Sequence, residues 1–371
     1  MMIPSKEQVL QALRTVKHPE TRQDIVEMGI VDDLQIDGQL VKFTMKFQKP
    51  REPFSASLKK TAEVAVKKLA QDISVDILLL TPPPVKPSAA DDPLSGISNI
   101  IAVASGKGGV GKSTVAVNLA VALAKTGAAV GLVDADVYGP SIPKMFGVEG
   151  QRPQIRHDGE KEWIIPVQKY GVKLVSIGFF VSPDDAVVWR GPMATGALKQ
   201  LISQSDWGNL DYLLIDLPPG TGDVHLTIVQ EMAVTGAVIV STPQEVALAD
   251  AVKGIAMFTG EKISVPVLGL VENMAWFTPA ELPENKYYLF GKEGVKRLAE
   301  KMKVRLLGQI PIVAGVCDDG DSGRPSVLDT SNPAGTAFGA LAANVVEALA
   351  ERNKLKAPTR KVEITTMNPN H

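Results

Sequence analysis

The chain has 371 residues, 45% hydrophobic and 22% charged, with a formal net charge of -2. It is long enough for a large core and for two folded units, and it lacks the basic excess that a general nucleic-acid binder carries. Its single cysteine, Cys317, excludes an intrachain disulfide and any metal site built from several cysteines of one chain.

No apolar run reaches the roughly 18 residues of a membrane span. The start, "MMIPSKEQVLQALRTVKHPE", turns polar too early for a secretory signal or an anchor, so the cytoplasm is the expected location. The first elements read as a helix over residues 5–16, a strand pair "IVDDLQI" and "QLVKFTMKF" around Asp37-Gly38, a helix over 56–71 and a strand "SVDILLL". That order gives a small α+β domain over 1–80 with no obvious catalytic cluster. At "LTPPPVKPSAADDPLSG" prolines and small residues displace any apolar period, which predicts a linker over 81–96.

From 97 to 354 short apolar runs alternate with helical segments: "NIIAVAS", "AAVGLVD", "VKLVSIG", "DYLLIDLP", "GAVIVSTP", "VPVLGLVEN" and "VRLLGQIP". Such runs predict an α/β domain with a doubly wound, mostly parallel sheet covered on both faces, and ligands at the carboxyl ends of its strands. The amphipathic segment "GTAFGALAANVVEALAERNK" is expected to pack on that sheet, and 355–371 reads as a loose tail.

"GKGGVGKS", Gly106 to Ser113, fits the phosphate-loop pattern G-x-x-x-x-G-K-S/T between a strand and a helix. The glycines let backbone N–H groups turn toward phosphate oxygens, and the helix amino terminus adds partial positive charge. Nucleotide contacts are therefore expected from Gly106, Lys107, Gly108, Gly109, Val110, Gly111, Lys112, Ser113 and Thr114. Lys112 would neutralise the β and γ phosphates, and Ser113 would bind Mg²⁺. A carboxylate near the metal is supplied by Asp216 in "YLLIDLPPGTGD", followed by a proline- and glycine-rich segment suited to rearrangement. In "GLVDADVYGPSIPKMFG", Asp134 and Asp136 end another strand. Either could serve a metal-bound triphosphate or simply form the turn, with Asp136 the stronger candidate for holding Mg²⁺ or its waters.

Together these segments resemble the deviant Walker-A branch of P-loop ATPases, whose loop reads K-G-G-x-G-K-S/T. Within that branch "DADVYGPSIPKMFG", "WRGPM", "DYLLIDLPPGTGD", "STPQEVALAD" and "VENM" look like the Mrp/ApbC iron-sulfur carriers, over about residues 96–350. "HPETRQDIVEMGIVDDLQIDG" resembles the small iron-sulfur-assembly domain fused in front of such carriers. The resemblance implies a homodimeric ATPase using ATP and Mg²⁺ in cluster assembly or transfer to apoproteins. It also implies a Lys107 that reaches the partner's nucleotide, an Asp136 that positions the hydrolytic water, an Asp216 near Mg²⁺, and an adenine bordered by Asn273 and the segment around Pro311.

The chain departs from that family in its sulfur. The carriers' Cys-x-x-Cys follows the N-M segment, where this chain reads "NMAWFTPAELPENKYYLFGKEG", and the cysteine of the small domain is replaced by "FQKPREPFSAS". Glu281, Glu284, Tyr287 and Tyr288 are hard ligands, unsuited to iron-sulfur clusters. Cys317, read as part of a loop in "AGVCDDGDSG", gives a symmetric dimer two thiolates where the usual cluster takes four. The spacing of His157 and His225 suggests no site. The sequence thus leaves two readings open: a cluster carrier, or an ATP-switched scaffold that binds no cluster itself. A positioning ATPase on membrane or DNA is disfavoured by the near-neutral charge, the fused domain and the polar tail.

Overall fold

The structure, a computed structural model, describes residues 4–18, 22–47, 55–70, 73–80, 94–159, 161–180, 191–260, 263–279, 281–282 and 284–356. Its contacts divide the chain into two compact units, Met1–Ser88 and Ala89–His371.

In the first unit, helix α1 (Lys6–Leu13) starts from a capping box in which Ser5 and Gln8 each bond the other's backbone N–H. Strands β1 (Val31–Asp37) and β2 (Leu40–Lys46) form an antiparallel pair. Helix α2 (Ser55–Lys67) then returns the chain to β3 (Ser74–Leu80), which lies parallel to β2. Val9, Leu13, Val41, Phe43, Met45, Ala62 and Val66 form its core. The turn expected to carry a cysteine in relatives, and most of the expected linker and tail, lie outside the described residues.

The second unit is built on an eight-stranded sheet. Its strands in chain order are β4 (Ile97–Ala104), β5 (Val130–Asp134), β8 (Val167–Lys169), β9 (Val172–Ser176), β10 (Leu210–Asp216), β11 (Gly236–Ser241), β12 (Val267–Glu272) and β13 (Leu306–Gln309). The spatial order is β13-β12-β11-β4-β10-β5-β9-β8, parallel throughout except for β8 against β9. Alternation within the strands feeds two cores: Ile101, Val103 and Leu214 on one face, Ile100, Ala102, Leu213 and Ile215 on the other. Helices α3 (Lys112–Lys125) and α10 (Pro333–Leu355) cover the first face. Helices α5 (Gly191–Ser203), α6 (Asp223–Glu231), α7 (Glu245–Thr259) and α8 (Gly294–Met302) cover the second. All seven apolar runs of the sequence are strands of this sheet, and the expected doubly wound α/β class is the one observed.

Beyond the short edge strand β8, which no apolar run announced, two features differ from the sequence expectation. An exposed hairpin, β6 (Gln154–Asp158) with β7 (Lys161–Ile165), stands apart from the main sheet; its first strand buries nothing, so it carries no hydrophobic alternation to read. Cys317 lies in a helix, α9 (Ala314–Asp321), and not in a loop. That helix follows a short one, α4 (Ile142–Met145), in chain order and packs against it.

Candidate nucleotide site

Because β4, β5, β10, β11 and β12 are parallel, their carboxyl ends fall in one row. Asp216 pairs in register with Val103 on one side and Asp134 on the other. The loop 105–111 leaves β4 there and enters α3, so the amino terminus of a 14-residue helix opens onto the same crevice. The loop needs glycine for close approach. A Cβ on Gly106 would fall 2.2 Å from the Asp250 backbone of α7, and one on Gly111, whose φ is +77°, 2.2 Å from Asn273 Nδ2. Gly108 and Gly109 face solvent, and Val110 is buried beneath them.

Lys112, Ser113 and Asp216 meet in this crevice. Lys112 Nζ donates to Asp216 Oδ1 at 2.6 Å and lies 3.2 Å from Ser113 Oγ, while Ser113 Oγ donates to Asp216 Oδ2 at 2.5 Å. Burial pushes the Asp216 carboxyl above the usual carboxylate range, against the opposing pull of Lys112 and Ser113. Thr114, one residue further, accepts a bond from Asn118 through its carbonyl.

Asp134, one strand over, is fully buried. It accepts from Ser176 Oγ at 2.9 Å, from the Asp136 N–H at 3.3 Å and from the Ile142 N–H at 3.3 Å. Its carboxyl is pushed up to about 8, first by burial and then by the neighbouring Asp216. In this geometry Asp134 anchors the loop that carries Asp136. Asp136 itself is half-buried and bonds the Tyr138 N–H; its charge reaches Asp216, but it touches neither Ser113 nor Asp216 directly.

Asn273 is 6% exposed. Its side-chain amide donates to the Val110 carbonyl at 2.8 Å and its backbone N–H to Ser241, so it ties the end of β12 to the phosphate loop. Pro311 is buried beside it, in a stretch where Ile310 bonds Glu272 and Ala275, and Ile312 bonds Trp276. Lys107 is half-buried. Its carbonyl accepts from Ser105 Oγ, and its ammonium makes no ion pair or hydrogen bond among the described residues. His225, which sequence spacing gave no role, is buried in the first turn of α6 and bonds the Pro218 carbonyl. Only its position nine residues after Asp216 could have drawn attention to it.

Where the resemblance leads one to expect a Cys-x-x-Cys, the described residues bring several aromatic side chains together. Phe277 and Tyr287 exchange two backbone bonds of 2.8 Å, and the Lys286 ammonium lies 4.0 Å from the Trp276 ring centroid. Glu281, Glu284, Tyr287 and Tyr288 are exposed there. His157 is an exposed hairpin residue beside Glu162. Among the described residues no group of three His, Cys, Asp or Glu side chains is placed to hold a metal ion.

A parallel sheet with a glycine loop opening a helix, a buried lysine on a strand-end aspartate and a hydroxyl beside both define a P-loop NTPase. Comparison with known proteins gives the family. Residues 96–346 match the NUBPL iron-transfer P-loop NTPases, and residues 6–77 match a family described as iron-sulfur cluster assembly protein. The chain belongs to the iron-transfer P-loop NTPase family and is a nucleotide-binding P-loop ATPase by class. It is 46% identical over 321 residues to the iron-sulfur cluster carrier protein of Synechocystis sp., covering 86% of this chain and 90% of that one. It is 45% identical over 308 residues to that of Aquifex aeolicus, covering 82% and 79%. Among solved structures, a nucleotide-binding protein of Archaeoglobus fulgidus in complex with ADP is 42% identical. It has a TM-score of 0.56 and covers 66% of this chain and 95% of that one.

Proposed function

We propose that this chain binds and hydrolyses MgATP as a homodimer and uses that cycle in iron-sulfur cluster assembly or transfer to apoproteins. The observation that carries the reading is the buried contact of Lys112 and Ser113 with Asp216 at the mouth of the phosphate loop. One ammonium beside two hard oxygen donors and a helix amino terminus is the donor set of a magnesium nucleotide. The relatives' names, and the ADP in the Archaeoglobus structure, support the same ligand and pathway.

Phosphates entering the loop compete with Asp216 for Lys112 and Ser113. Mg²⁺, when bound, neutralises phosphate charge, and Ser113 and Asp216 are the residues that would hold it, with Asp136 acting through water. Arrival of nucleotide therefore frees the end of β10 and the turn after it, which is how occupancy would be passed on. The Lys107 ammonium, unengaged among the described residues, is assigned to the partner subunit's phosphates. A second cation supplied only on closure couples ATP binding to dimer geometry in the manner of an arginine finger. Asn273 and the Pro311 segment, at the side of the loop, are the assigned borders of the adenine. The 1–80 domain is assigned as an accessory iron-sulfur-assembly module on a linker, 81–96, ahead of the ATPase domain 97–354 and the tail 355–371.

A second reading is favoured by the segment at 276–289: with no thiol there, the chain acts as an ATP-switched scaffold that engages clients or other assembly proteins without ligating a cluster. No described helix is long and apolar enough to cross a membrane, and we assign the chain to the cytoplasm with neither lipid nor nucleic acid as partner. The deciding experiment measures ATP turnover and ATP-dependent dimerisation of the purified chain, followed by client capture with and without ATP. A protein that turns over no ATP above background would remove both readings.

A further inference from the structure

The turn after Asp216 carries two consecutive prolines, Pro218 and Pro219, and so has few N–H groups of its own with which to fix itself. Among the described residues four bonds hold it: the Leu217 N–H to Val103 O, the Gly220 N–H to Ser105 O and the His225 N–H to Gly222 O, each at 3.0 Å, and His225 Nε2 to Pro218 O at 2.7 Å. The first two tie the turn to β4 and the start of the phosphate loop. The last two come from α6, and the bond to Pro218 is the one made by a side chain.

A carbonyl only accepts, so His225 Nε2 carries the hydrogen. The ring is 2% exposed and lies in the first turn of α6, where the helix dipole also disfavours a cation. Burial holds its pKa below the ordinary histidine value, so the ring is neutral and Nδ1 bears a lone pair. Nδ1 is buried and has no hydrogen-bond partner among the described residues, although the Gly222 carbonyl also faces the ring. Leaving a buried acceptor unsatisfied is costly, and a packing residue such as leucine would fill the space without that cost. The bond on the other nitrogen is what the imidazole provides here that a hydrocarbon side chain does not.

We propose that His225 is a positioning residue of the nucleotide site. By donating to the Pro218 carbonyl it sets the 217–222 turn, and through the adjoining peptide it sets the Asp216 carboxylate that Lys112 and Ser113 share. Among the described residues His225 makes no hydrogen bond to the phosphate loop, so it acts through the turn. This rests on the ATPase reading above for its kinetic consequence, but its structural consequence can be read without nucleotide.

The test compares the full-length wild type with His225→Leu, which removes the donor, and His225→Gln, whose amide N–H can reach the place of Nε2. In nucleotide-free protein, amide exchange at Leu217 and Gly220 should be about tenfold faster in His225→Leu, the equivalent of about 1.4 kcal/mol, and within about threefold of wild type in His225→Gln. The kcat for ATP should drop by about tenfold or more in the leucine variant with KM changed less than about threefold, and the glutamine variant should recover most of it. Unchanged exchange in His225→Leu overturns the proposal. So does a His225→Gln that melts at the wild-type temperature yet behaves like the leucine variant. If His225→Leu does not fold, His225→Asn replaces it, since its shorter amide cannot span the gap, and the same split between Asn and Gln is required. The expected exchange difference among the variants, found together with a wild type that turns over no ATP, would sink the ATPase reading and leave the positioning role standing.

Discussion

Lys112 and Asp216 meet at the end of the sheet with Nζ 2.6 Å from Oδ1 and with 6% and 0% of their side chains exposed. The two residues come from segments 104 positions apart, one opening α3 and one closing β10. A buried pair of this kind contributes little net stability, because desolvation offsets most of the attraction. Under the proposed nucleotide role its value is as a contact that an anion can exchange: a phosphate would take the ammonium and leave the carboxylate needing another partner.

That exchange gives opposite expectations for the two members of the pair. Lys112→Ala should weaken ATP and ADP binding by about tenfold to a hundredfold, the loss of a charged hydrogen bond. Asp216→Asn removes the competitor for Lys112 and the negative charge facing the phosphates, so without Mg²⁺ it should bind ADP more tightly than wild type. Its ATP turnover should nevertheless be lost, since a carboxylate at the metal is missing. Titration calorimetry with and without Mg²⁺ measures both; a Lys112→Ala protein with wild-type affinity would remove the phosphate role.

For Lys107 the expectation separates binding from closure. Its ammonium has no ion pair or hydrogen bond among the described residues, so Lys107→Ala should keep ATP affinity within about threefold of wild type while losing ATP-dependent dimerisation. Hydrolysis should fall by about a thousandfold, the scale of a cation supplied in trans. Sedimentation with ATP and single-chain binding assays provide the comparison. If Lys107→Ala and Lys112→Ala lose nucleotide affinity equally, Lys107 serves the nucleotide of its own subunit.

Seven of the eight sheet strands were legible because strands buried on both faces must be continuous apolar runs, while the three-residue edge strand β8 was too short to read; the phosphate loop was legible because its chemistry demands adjacent residues. What escaped depends on contacts distant in sequence. The strand β6 is exposed throughout and β7 buries Ile164 alone, so neither carries an alternating pattern to read. Helix α9, with its glycines and acidic run "AGVCDDGDSG", has poor helix propensity; the chain just beyond it is held where Gly323 abuts Gly147 and where the Tyr170 hydroxyl bonds the Gly323 carbonyl. Asp134 could be read from sequence as a turn former or as a functional group. Only the arrival of Ser176 from β9 shows it as the buried acceptor that organises the following loop. His225 was invisible for the same reason: nothing in a lone histidine announces that its ring faces a proline carbonyl.

Asp134 gives a pH signature. Its folded-state pKa is raised to about 8 from 3.8, so the folded chain holds a proton that the unfolded chain releases. The stabilisation is complete below about pH 4 and is lost as pH rises through about 8, at up to about 1.4 kcal/mol per pH unit from this group. Burial shifts Asp216 in the same direction. Nucleotide-free wild type should therefore lose more melting temperature between pH 5 and pH 8 than Asp134→Asn, which cannot titrate. Parallel melting curves for the two proteins across that range would show that Asp134 is not protonated in the folded state.

The last prediction concerns iron. Thiolates are the ligands that iron-sulfur clusters select, and this chain offers one, Cys317, on α9 and away in sequence from the segment at 276–289. Anaerobic reconstitution of the wild type should therefore yield no stoichiometric iron and sulfide and no visible charge-transfer absorption, and Cys317→Ser should match it while retaining full ATP turnover. Iron bound by the wild type and lost in Cys317→Ser would instead assign a cluster to two Cys317 thiolates of a dimer, completed by ligands from a client or a small thiol. The two outcomes separate the readings of the function: the first leaves an ATP-switched scaffold that works on clusters held by others, and the second a carrier whose ligands have moved to α9.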